Sequence, residues 1–391
     1  MEKVRLGSQI KQIRGVSYKP TDLHNDLNDN SVILLRANNI SDGKLNFDDV
    51  VYVDKSKVKE EQYLKKGDIL VCASSGSKEL VGKAAFVKKD FTATFGAFCK
   101  LIRPMGCIAE YLGHYFNSPT YREKISALAL GANINNIRKE HIDELFVCFP
   151  NELEQKSIAS LLDKVTNLID KRKEQLSKLD ELVKARFVEL FGDPEKNTFS
   201  WKEEELSEHL TVIGGYAFKS EQFSEEGIPV LRIGNINSGF FKPVSLVYWE
   251  DDDTLSRYKM YPGDLVMSLT GTVGKDDYGN VCILGNDYNV YYLNQRNAKL
   301  ELQETINKYY LSMLLKFEPI KKKLTGISRG VRQANISNKD ILNLSVPIPP
   351  IELQKQFAAF VEQTDKSKME VKKSLEKLEL LKKALMQKYF G

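Results

Sequence analysis

Two long stretches of the chain repeat apolar residues every three or four positions. This spacing places the apolar side chains along one side of an α-helix. For the first stretch it predicts a helix over residues 152–190, with Asn151 and Glu154 as a capping pair and Gly192 at its end. The residues of this apolar stripe are Ile158, Leu161, Leu162, Val165, Leu168, Ile169, Leu176, Leu179, Leu182, Val183 and Phe187.

The second stretch carries the same stripe over the last part of the sequence. Helices of about 37 residues would each be about 55 Å long. Because neither helix can bury its apolar side alone, we expect the two to pack against each other, in antiparallel orientation. The residues of the second stripe are Phe357, Phe360, Val361, Val371, Leu375, Leu378, Leu381 and Leu385.

Shorter apolar runs precede each long helix. In the first region, residues 32–35, 50–53, 69–71 and 84–87 have the β-branched, Gly- and Asp-punctuated character of strands. Residues 109–116 and 121–128 are expected to form helices. The region before each long helix is therefore predicted to be a mixed α/β globule.

The chain is internally repeated along nearly its whole length. Residues 131–192 align with residues 330–391 without a gap, at a shift of about 199 positions that places Gln155 on Gln354. The globules align more loosely, at a shift of about 196 positions. Their matching pieces are Leu35-Arg36-Ala37-Asn38-Asn39-Ile40 with Leu231-Arg232-Ile233-Gly234-Asn235-Ile236, and Gly67-Asp68 with Gly263-Asp264.

The repeat predicts an α+β fold of two mixed α/β domains, each followed by a long helix. We place the boundaries at residues 1–148, 149–194, 195–347 and 348–391. If the helices are antiparallel, the two globules are related by a pseudo-two-fold axis and present two similar surfaces at a fixed separation. A duplicated scaffold that binds only other proteins is the alternative interpretation of the same pattern.

Composition narrows the possible classes of function. The net charge of +4 permits nucleic-acid binding without indicating it, since 57 Lys and Arg nearly balance 53 Asp and Glu. Five cysteines with no CxxC spacing indicate buried thiols in a reducing compartment. The first residues do not resemble a signal peptide, and no apolar run has the length of a membrane span. We expect a cytoplasmic protein without a membrane partner.

Residues that carry catalysis are scarce. The four histidines are isolated, with no HExxH motif and no Cys/His cluster for a metal. Residues 76–83 and 270–275 each contain glycines followed by a final lysine but lack the spacing of a phosphate-binding loop. We therefore expect no active site and no metal in this chain.

Side chains that can read base edges, or hold phosphates, collect in the loops of both globules. Asn, Ser and Gly in loops can equally be turn formers, and the repeated Arg and Asn of the Leu-Arg-x-x-Asn-Ile pieces can be required by the fold. The candidate DNA-binding residues are Arg36, Asn38, Asn39, Ser74, Ser75, Lys78, Arg138, Arg232, Asn235, Thr270, Thr272, Lys275, Gln295, Arg296, Lys321, Arg329 and Arg332.

The sequence resembles the specificity subunits of type I restriction–modification systems. The resemblance is carried by the helix-opening segments 149–159 and 347–358, by the closing residues Leu190-Phe191-Gly192-Asp193-Pro194 and Tyr389-Phe390-Gly391, and by the Gly-Asp pieces. In copy one, Asn151 stands where the family has a second proline. The first globule also has no sequence counterpart of Asn294-Gln295-Arg296.

The resemblance implies a role without chemistry of its own. Each globule would be a target-recognition domain that reads one half of a bipartite double-stranded DNA site, and the helices would fix the unread spacer. Two modification (methyltransferase) subunits would dock on the helices and use S-adenosylmethionine, and restriction subunits would use ATP and Mg. This chain would hold no cofactor. A fused methyltransferase or nuclease is a third interpretation, against which the missing motifs argue.

Overall fold

The computed structural model describes residues 3–77, 79–129, 135–326 and 333–391. The chain divides into two compact units. The first unit consists of Met1–Glu174 and Lys372–Gly391, and the second of Gln175–Val371. Each unit therefore contains one globule together with part of each long helix. Among the described residues, no helix combines the length and the apolar character that a membrane crossing requires.

The first globule combines short strands with three helices. The helices are α1 (Ala109–Phe116), α2 (Pro119–Leu128) and α3 (Lys139–Asp143). The strands are β1 (Lys3–Arg5), β2 (Ile10–Arg14), β3 (Leu23–His24), β4 (Ser31–Leu35), β5 (Ile40–Ser41), β6 (Lys44–Leu45), β7 (Val51–Asp54), β8 (Ile69–Cys72), β9 (Ser74–Ser75), β10 (Ala84–Phe86), β11 (Ala93–Phe95), β12 (Cys99–Pro104), β13 (Asn135–Asn136) and β14 (Phe146–Cys148).

The long helix α4 (Glu152–Phe191) then leads to the second globule, and α9 (Ile351–Phe390) follows it. The shorter helices there are α5 (Ile233–Ile236), α6 (Lys308–Leu314), α7 (Glu318–Thr325) and α8 (Asn338–Leu342). The strands are β15 (Glu203–Glu205), β16 (Leu210–Gly214), β17 (Ile228–Leu231), β18 (Tyr248–Trp249), β19 (Lys259–Met260), β20 (Leu265–Ser268), β21 (Thr270–Thr272), β22 (Val281–Ile283), β23 (Tyr291–Leu293), β24 (Asn297–Leu302), β25 (Gln333–Asn335) and β26 (Ser345–Pro347).

Both globules are built on the same pair of four-stranded sheets. One sheet is antiparallel, with the order β10-β8-β12-β2 in the first globule and β22-β20-β24-β16 in the second. The other contains one parallel pair, β4 with β11 in the first globule and β17 with β23 in the second. The register puts Leu101 opposite Leu70 and Ile13, three residues of one buried cluster. The duplication seen in the sequence is thus a duplication of topology.

The local sequence signals place the elements well. The helix expected at residues 109–116 has those bounds, and the one expected at 121–128 begins two residues earlier, at Pro119. Ser118 caps it by accepting a hydrogen bond from the N–H of Tyr121 at 3.2 Å. The four expected strands of the first globule correspond to β4, β7, β8 and β10.

The first long helix begins and ends where its capping residues predict. The side-chain oxygen of Asn151 accepts a hydrogen bond from the N–H of Glu154 at 2.9 Å. Gly192 follows the last residue with a φ of +78°, a left-handed conformation that glycine adopts without strain. The helix extends one residue beyond the predicted end at Leu190.

Within the first unit, the start of α4 packs against the end of α9. Ile158 and Phe390 belong to the same buried cluster. Further along, Lys173 forms an ion pair with Glu379 at 3.7 Å. Because a later residue of one helix meets an earlier residue of the other, the two helix segments run antiparallel in this unit.

The second unit has the converse arrangement, with the end of α4 against the start of α9. Asp180 pairs with Lys368 at 2.7 Å, and the rings of Phe187 and Phe357 lie 5.4 Å apart. The later residue of α4 again meets the earlier residue of α9. The expected antiparallel packing is therefore confirmed within each unit. Four residues of the predicted stripes, Leu161, Leu168, Leu182 and Leu381, are nevertheless exposed, so the buried stripe is narrower than the sequence predicts. The four-part division of the chain stays a prediction, since the compact units cut across both helices.

Candidate nucleic-acid interface

A buried glutamine near the start of each long helix joins the helix to its globule. In the first unit, the Gln155 side chain accepts a hydrogen bond from the N–H of Ile108 at 3.0 Å and donates one to the carbonyl of Pro150 at 2.8 Å. Gln354 does the same in the second unit, with the N–H of Asn307 and the carbonyl of Pro349, both at 2.8 Å. The repeated Gln of the sequence therefore holds each globule at a defined orientation on its helix.

A buried tyrosine adds a second link at each junction. The hydroxyl of Tyr111 donates to the carbonyl of Cys148 at 2.7 Å, and that of Tyr310 donates to the carbonyl of Pro347 at 2.7 Å. Each carbonyl belongs to the strand that leads into the long helix. Burial raises the pKa of both hydroxyls, so they stay protonated and remain donors. Each tyrosine thereby links a short helix of the globule to the strand that precedes the long helix.

The repeated Asn of the Leu-Arg-x-x-Asn-Ile pieces shapes a loop in both globules. Asn39 and Asn235 are each 1% exposed. Their side-chain oxygens accept hydrogen bonds from the N–H groups of Arg36 at 2.8 Å and Arg232 at 2.9 Å. The Asn39 amide donates to the carbonyl of Asp49 at 2.8 Å. The interpretation that the fold itself requires these two asparagines is the one the geometry favours.

The neighbouring candidates of the same loops stay at the surface. In the first globule, Arg36 and Asn38 both bind the carboxylate of Asp49, at 3.0 and 2.6 Å. In the second globule, the exposed Arg232 donates to the carbonyl of Ser245. Arg36 is half-buried and Asn38 is exposed. These side chains are oriented by the loop but can still be reached from solvent.

A two-stranded ribbon carries the next group of candidates. Strand β9, with Ser74 and Ser75, pairs with β13, and strand β21, with Thr270 and Thr272, pairs with β25. Lys275 lies exposed just beyond β21. The matching ribbons bring candidates together that are far apart in the sequence.

Of four further candidates, the structure describes one. Arg138 is exposed, at the start of α3. Lys78, Arg329 and Arg332 lie outside the described residues. A DNA contact at any of these four positions stays a prediction.

A tight turn before β12 and its equivalent before β24 complete the surface. In the first globule, Cys99 donates its N–H to Gly96 at 2.9 Å, and Ala73 donates to the carbonyl of Phe98 at 2.8 Å. This turn has the sequence Gly96-Ala97-Phe98 and leaves Phe98 69% exposed. Sequence reasoning did not select Phe98, because a lone Phe in a loop carries no signal for binding.

The second globule has the same turn with other residues. Asn297 donates its N–H to Asn294 at 2.9 Å, and Leu269 donates to the carbonyl of Arg296 at 2.8 Å. Gln295 and Arg296 are exposed there. The sequence comparison found no counterpart of Asn294-Gln295-Arg296 in the first globule. The structure supplies one, since the backbone turn is present and only its side chains differ.

A cavity of about 760 Å³ opens beside the turn of the first globule. It brings together four of the predicted residues, Arg36, Asn38, Ser74 and Ser75, although they come from separate loops. The remaining lining residues are Val16, Ser17, Tyr18, Ala37, Gly76, Gly96, Ala97, Phe98 and Cys99.

Lys321 occupies a different environment from the other candidates. Its side chain is nearly buried, and its ammonium group donates to Asp276 and, at 2.6 Å, to Asn280. A phosphate contact at Lys321 would have to displace the exposed carboxylate of Asp276. The adjacent Lys322 pairs with Glu318 at 2.6 Å, and this hydrogen bond raises the pKa of Lys322.

The described residues contain one group with metal-ligand spacing, Glu204, Glu208 and His209. Two of its three members, His209 and Glu204, are already engaged. His209 contacts Glu204 at 2.7 Å and Thr305 at 2.8 Å, and Glu204 also binds Lys202. This arrangement is that of a hydrogen-bonded cluster rather than an open coordination site.

Four of the five thiols are held in the protonated form by burial. Burial raises the pKa of Cys107 and of Cys282 to about 12, and it also raises the pKa of the buried Cys72 and Cys99. All five cysteines are free of disulfides, as the sequence predicts.

Comparison with known proteins identifies a family for this chain. The family model described as "Type I restriction modification DNA specificity domain" matches residues 2–180 and again residues 200–382. The specificity subunit of the type I restriction enzyme EcoKI from Escherichia coli K12 is 30% identical over 97% of this chain and 86% of its own length.

Solved structures share the fold. The crystal structure of the S subunit of a type I restriction–modification system from M. genitalium has a TM-score of 0.58 at 17% identity, and the match covers 100% of this chain and 96% of that one. A chain from a study of complex assembly and conformational transition of the type I R-M system has a TM-score of 0.52 at 16% identity, over 99% and 98% of the two chains.

A duplicated α/β globule on paired helices, matched twice by a DNA specificity domain, defines a protein with two target-recognition domains. The chain belongs to the family of type I restriction–modification DNA specificity subunits. It is the non-catalytic member of such a system. The expected family, fold class and role are thereby confirmed.

Proposed function

We propose that each globule reads one half of a bipartite double-stranded DNA site. The observation that carries this proposal is the equivalence of the two surfaces. Each globule has the same turn and the same ribbon, yet the exposed residues are Ala97 and Phe98 in one and Gln295 and Arg296 in the other. Two frames of equal geometry with different side chains suit the recognition of two different half-sites.

In this proposal, the exposed candidates make the DNA contacts and the buried asparagines shape the loops. Gln295 and Arg296 offer hydrogen bonds to base edges, and Arg232, Lys275 and Arg138 offer positive charge to phosphates. Asn39 and Asn235 hold the backbone from which their neighbours project.

The long helices set the number of unread base pairs between the half-sites. Each helix has 40 residues, and a helix of that length measures about 60 Å. At 3.4 Å per base pair, this corresponds to about 18 base pairs, an upper limit on the separation of the two contacts.

The outer sides of the helices are the proposed docking surface for two modification subunits, and restriction subunits join the same assembly. Apolar residues left exposed on α4 and α9 support this, because isolated helices in water do not favour such residues. In this assembly, S-adenosylmethionine, ATP and Mg are used by the partners, in the cytoplasm. The exposed residues are Leu153, Leu161, Leu168, Leu182, Val188, Met369, Leu380 and Leu381.

Mapping N6-methyladenine in the host genome with and without this chain tests the proposal. We expect one bipartite motif, methylated only when the chain is present. Purified complex of the chain with its modification subunits should then bind a duplex with that motif, and binding should weaken as salt is raised. A complex that protects no duplex sequence-selectively would leave the duplicated protein-interaction scaffold as the function.

A further inference from the structure

The turn at residues 96–99 is a rigid platform in the first globule. A Cβ on Gly15 would lie 2.1 Å from the carbonyl oxygen of Gly96, so the neighbouring strand approaches the turn as closely as only glycine allows. In the second globule, a Cβ on Gly215 would lie 2.1 Å from the carbonyl oxygen of Asn294. Both turns are therefore fixed by the same close backbone contact in addition to their hydrogen bonds.

What the platform presents differs between the globules. The side chains of Gln295 and Arg296 can donate hydrogen bonds to bases, whereas the side chains of Ala97 and Phe98 have no donor. Phe98 is 69% exposed and borders the cavity whose lining includes Val16, Tyr18 and Ala37. A lone exposed Phe needs no explanation, but here it continues an apolar surface that four polar DNA-contact candidates surround.

The chemistry of the DNA groove limits what such a side chain can recognise. Base edges in the major groove present hydrogen-bond donors and acceptors, and the 5-methyl group of thymine is their apolar feature. We propose that Phe98 is a specificity-determining residue of the first target-recognition domain and that it contacts the methyl group of a thymine in the first half-site. The proposal rests on the proposed function of the globule as a DNA reader.

Replacing thymine by deoxyuracil removes this methyl group and changes no base-pairing group. Once the motif is mapped, each thymine of both half-sites is replaced in turn, and binding of the complex with its modification subunits is measured. We expect one position in the first half-site at which the unmodified complex binds deoxyuracil about fourfold more weakly, which is the effect of burying one methyl group. With Phe98→Ala, thymine and deoxyuracil should bind equally at that position.

Met105→Ala is the matched control, since Met105 is 71% exposed in the same globule but does not line the cavity. It should keep the fourfold difference. A second variant, Phe98→Leu, should restore part of the discrimination, because it returns apolar contact area. Replacing thymines in the second half-site should change binding by the same factor in both Phe98 variants as in the unsubstituted complex.

The outcomes separate this inference from the function on which it rests. If Phe98→Ala weakens binding while the thymine-to-deoxyuracil ratio is unchanged, the side chain acts in another way and the inference is wrong. It is also wrong if no thymine in the first half-site responds, while sequence-selective binding persists. Loss of all sequence-selective binding by the unsubstituted complex would overturn the proposed function itself.

Discussion

At the scale of single residues, the aspartate after a left-handed glycine has a structural role in both globules. Gly67 and Gly263 have φ values of +91° and +93°. Asp68 accepts hydrogen bonds from the N–H of Lys65 and from two nitrogens of Arg103, all at 2.8 Å. The family resemblance selected this Gly-Asp piece, and the structure explains it. The aspartate closes the turn before β8 and neutralises a cation on β12, the strand that pairs with β8.

Asp264 makes a weaker version of this contact in the second globule. It accepts from the N–H of Tyr261 at 2.9 Å and from Lys299 at 3.0 Å. Its side chain is 22% exposed, against 2% for Asp68. The same motif is therefore more deeply desolvated in the first globule, and its loss should cost more there.

We expect Asp68→Asn to destabilise the first unit by about 3 kcal/mol, because Asp68 is only 2% exposed and its loss leaves the half-buried Arg103 guanidinium without its counter-charge. Asp264→Asn serves as the comparison and should cost about 1 kcal/mol, since the Asp264 carboxylate is 22% exposed and its ion pair is better screened by water. Urea unfolding of the two variants measures the difference. Equal losses would contradict the argument from burial.

The glutamine at each helix junction supports a second prediction. Gln354→Ala removes the hydrogen-bond partner of the N–H of Asn307 and of the carbonyl of Pro349. We expect the free energy of unfolding to fall by about 2 kcal/mol, because these buried groups then stay unpaired. Thermal unfolding measures the loss. Gln356→Ala is the control on the same helical turn, because Gln356 is exposed, and it should change stability little. A comparable effect of both variants would assign the loss to helix propensity.

At the scale of elements, the two long helices are coupled by residue pairs that fix their register. Lys173 with Glu379 and Asp180 with Lys368 lie on either side of the boundary between the units. An insertion that keeps the apolar stripes in phase must therefore be made in both helices, and in multiples of seven residues.

We expect seven residues inserted after Gln175 together with seven after Val371 to lengthen the unread spacer. Seven residues add about 10 Å of helix, or about three base pairs at most. Methyladenine mapping should find both half-sites unchanged and farther apart. An insertion in α4 alone is the control and should destabilise the chain, since it separates Asp180 from Lys368. Altered half-site bases in the double insertion would contradict a pure spacing role.

The turns before β12 and β24 illustrate an element whose role depends on tertiary context. Their hydrogen bonds and their close glycine contacts are equivalent, but their sequences share no exposed residue. A surface element of constant backbone and variable side chains can change specificity without loss of fold. This is the arrangement that a recognition domain requires.

At the scale of the whole molecule, the internal repeat lets each recognition domain serve as a control for the other. A substitution that removes a base contact in one globule should leave the other half-site unchanged. A substitution that unfolds the chain, or that weakens phosphate contacts in general, should affect the entire site.

We expect Gln295→Ala, with Arg296→Ala as a second variant, to relax specificity in the second half-site only, at a cost of about 1–3 kcal/mol if base contacts are lost. The measurement is binding of the complex to duplexes with single base changes in each half-site. Ala97→Gln, at the equivalent turn position of the first globule, should alter only the first half-site. A loss spread equally over both halves would indicate that these residues do not read bases.

The sequence by itself determined the elements whose signals are local. The period of the apolar stripe, the cap at Asn151 and the glycine at position 192 define α4 to within one residue. The repeat determined that the fold is duplicated, and the family resemblance determined the class of function. These conclusions need only neighbours within a few turns of helix, or an alignment of one half with the other.

Only the tertiary structure decided which candidates form a surface. Parallel pairing of β4 with β11 brings residues near positions 35 and 96 together, and pairing of β9 with β13 joins Ser75 to Asn135. It also buried Asn39 and engaged Lys321, which a list of polar residues cannot reveal. Composition records which side chains could bind, whereas long-range strand pairing decides which of them are exposed, adjacent and held in place.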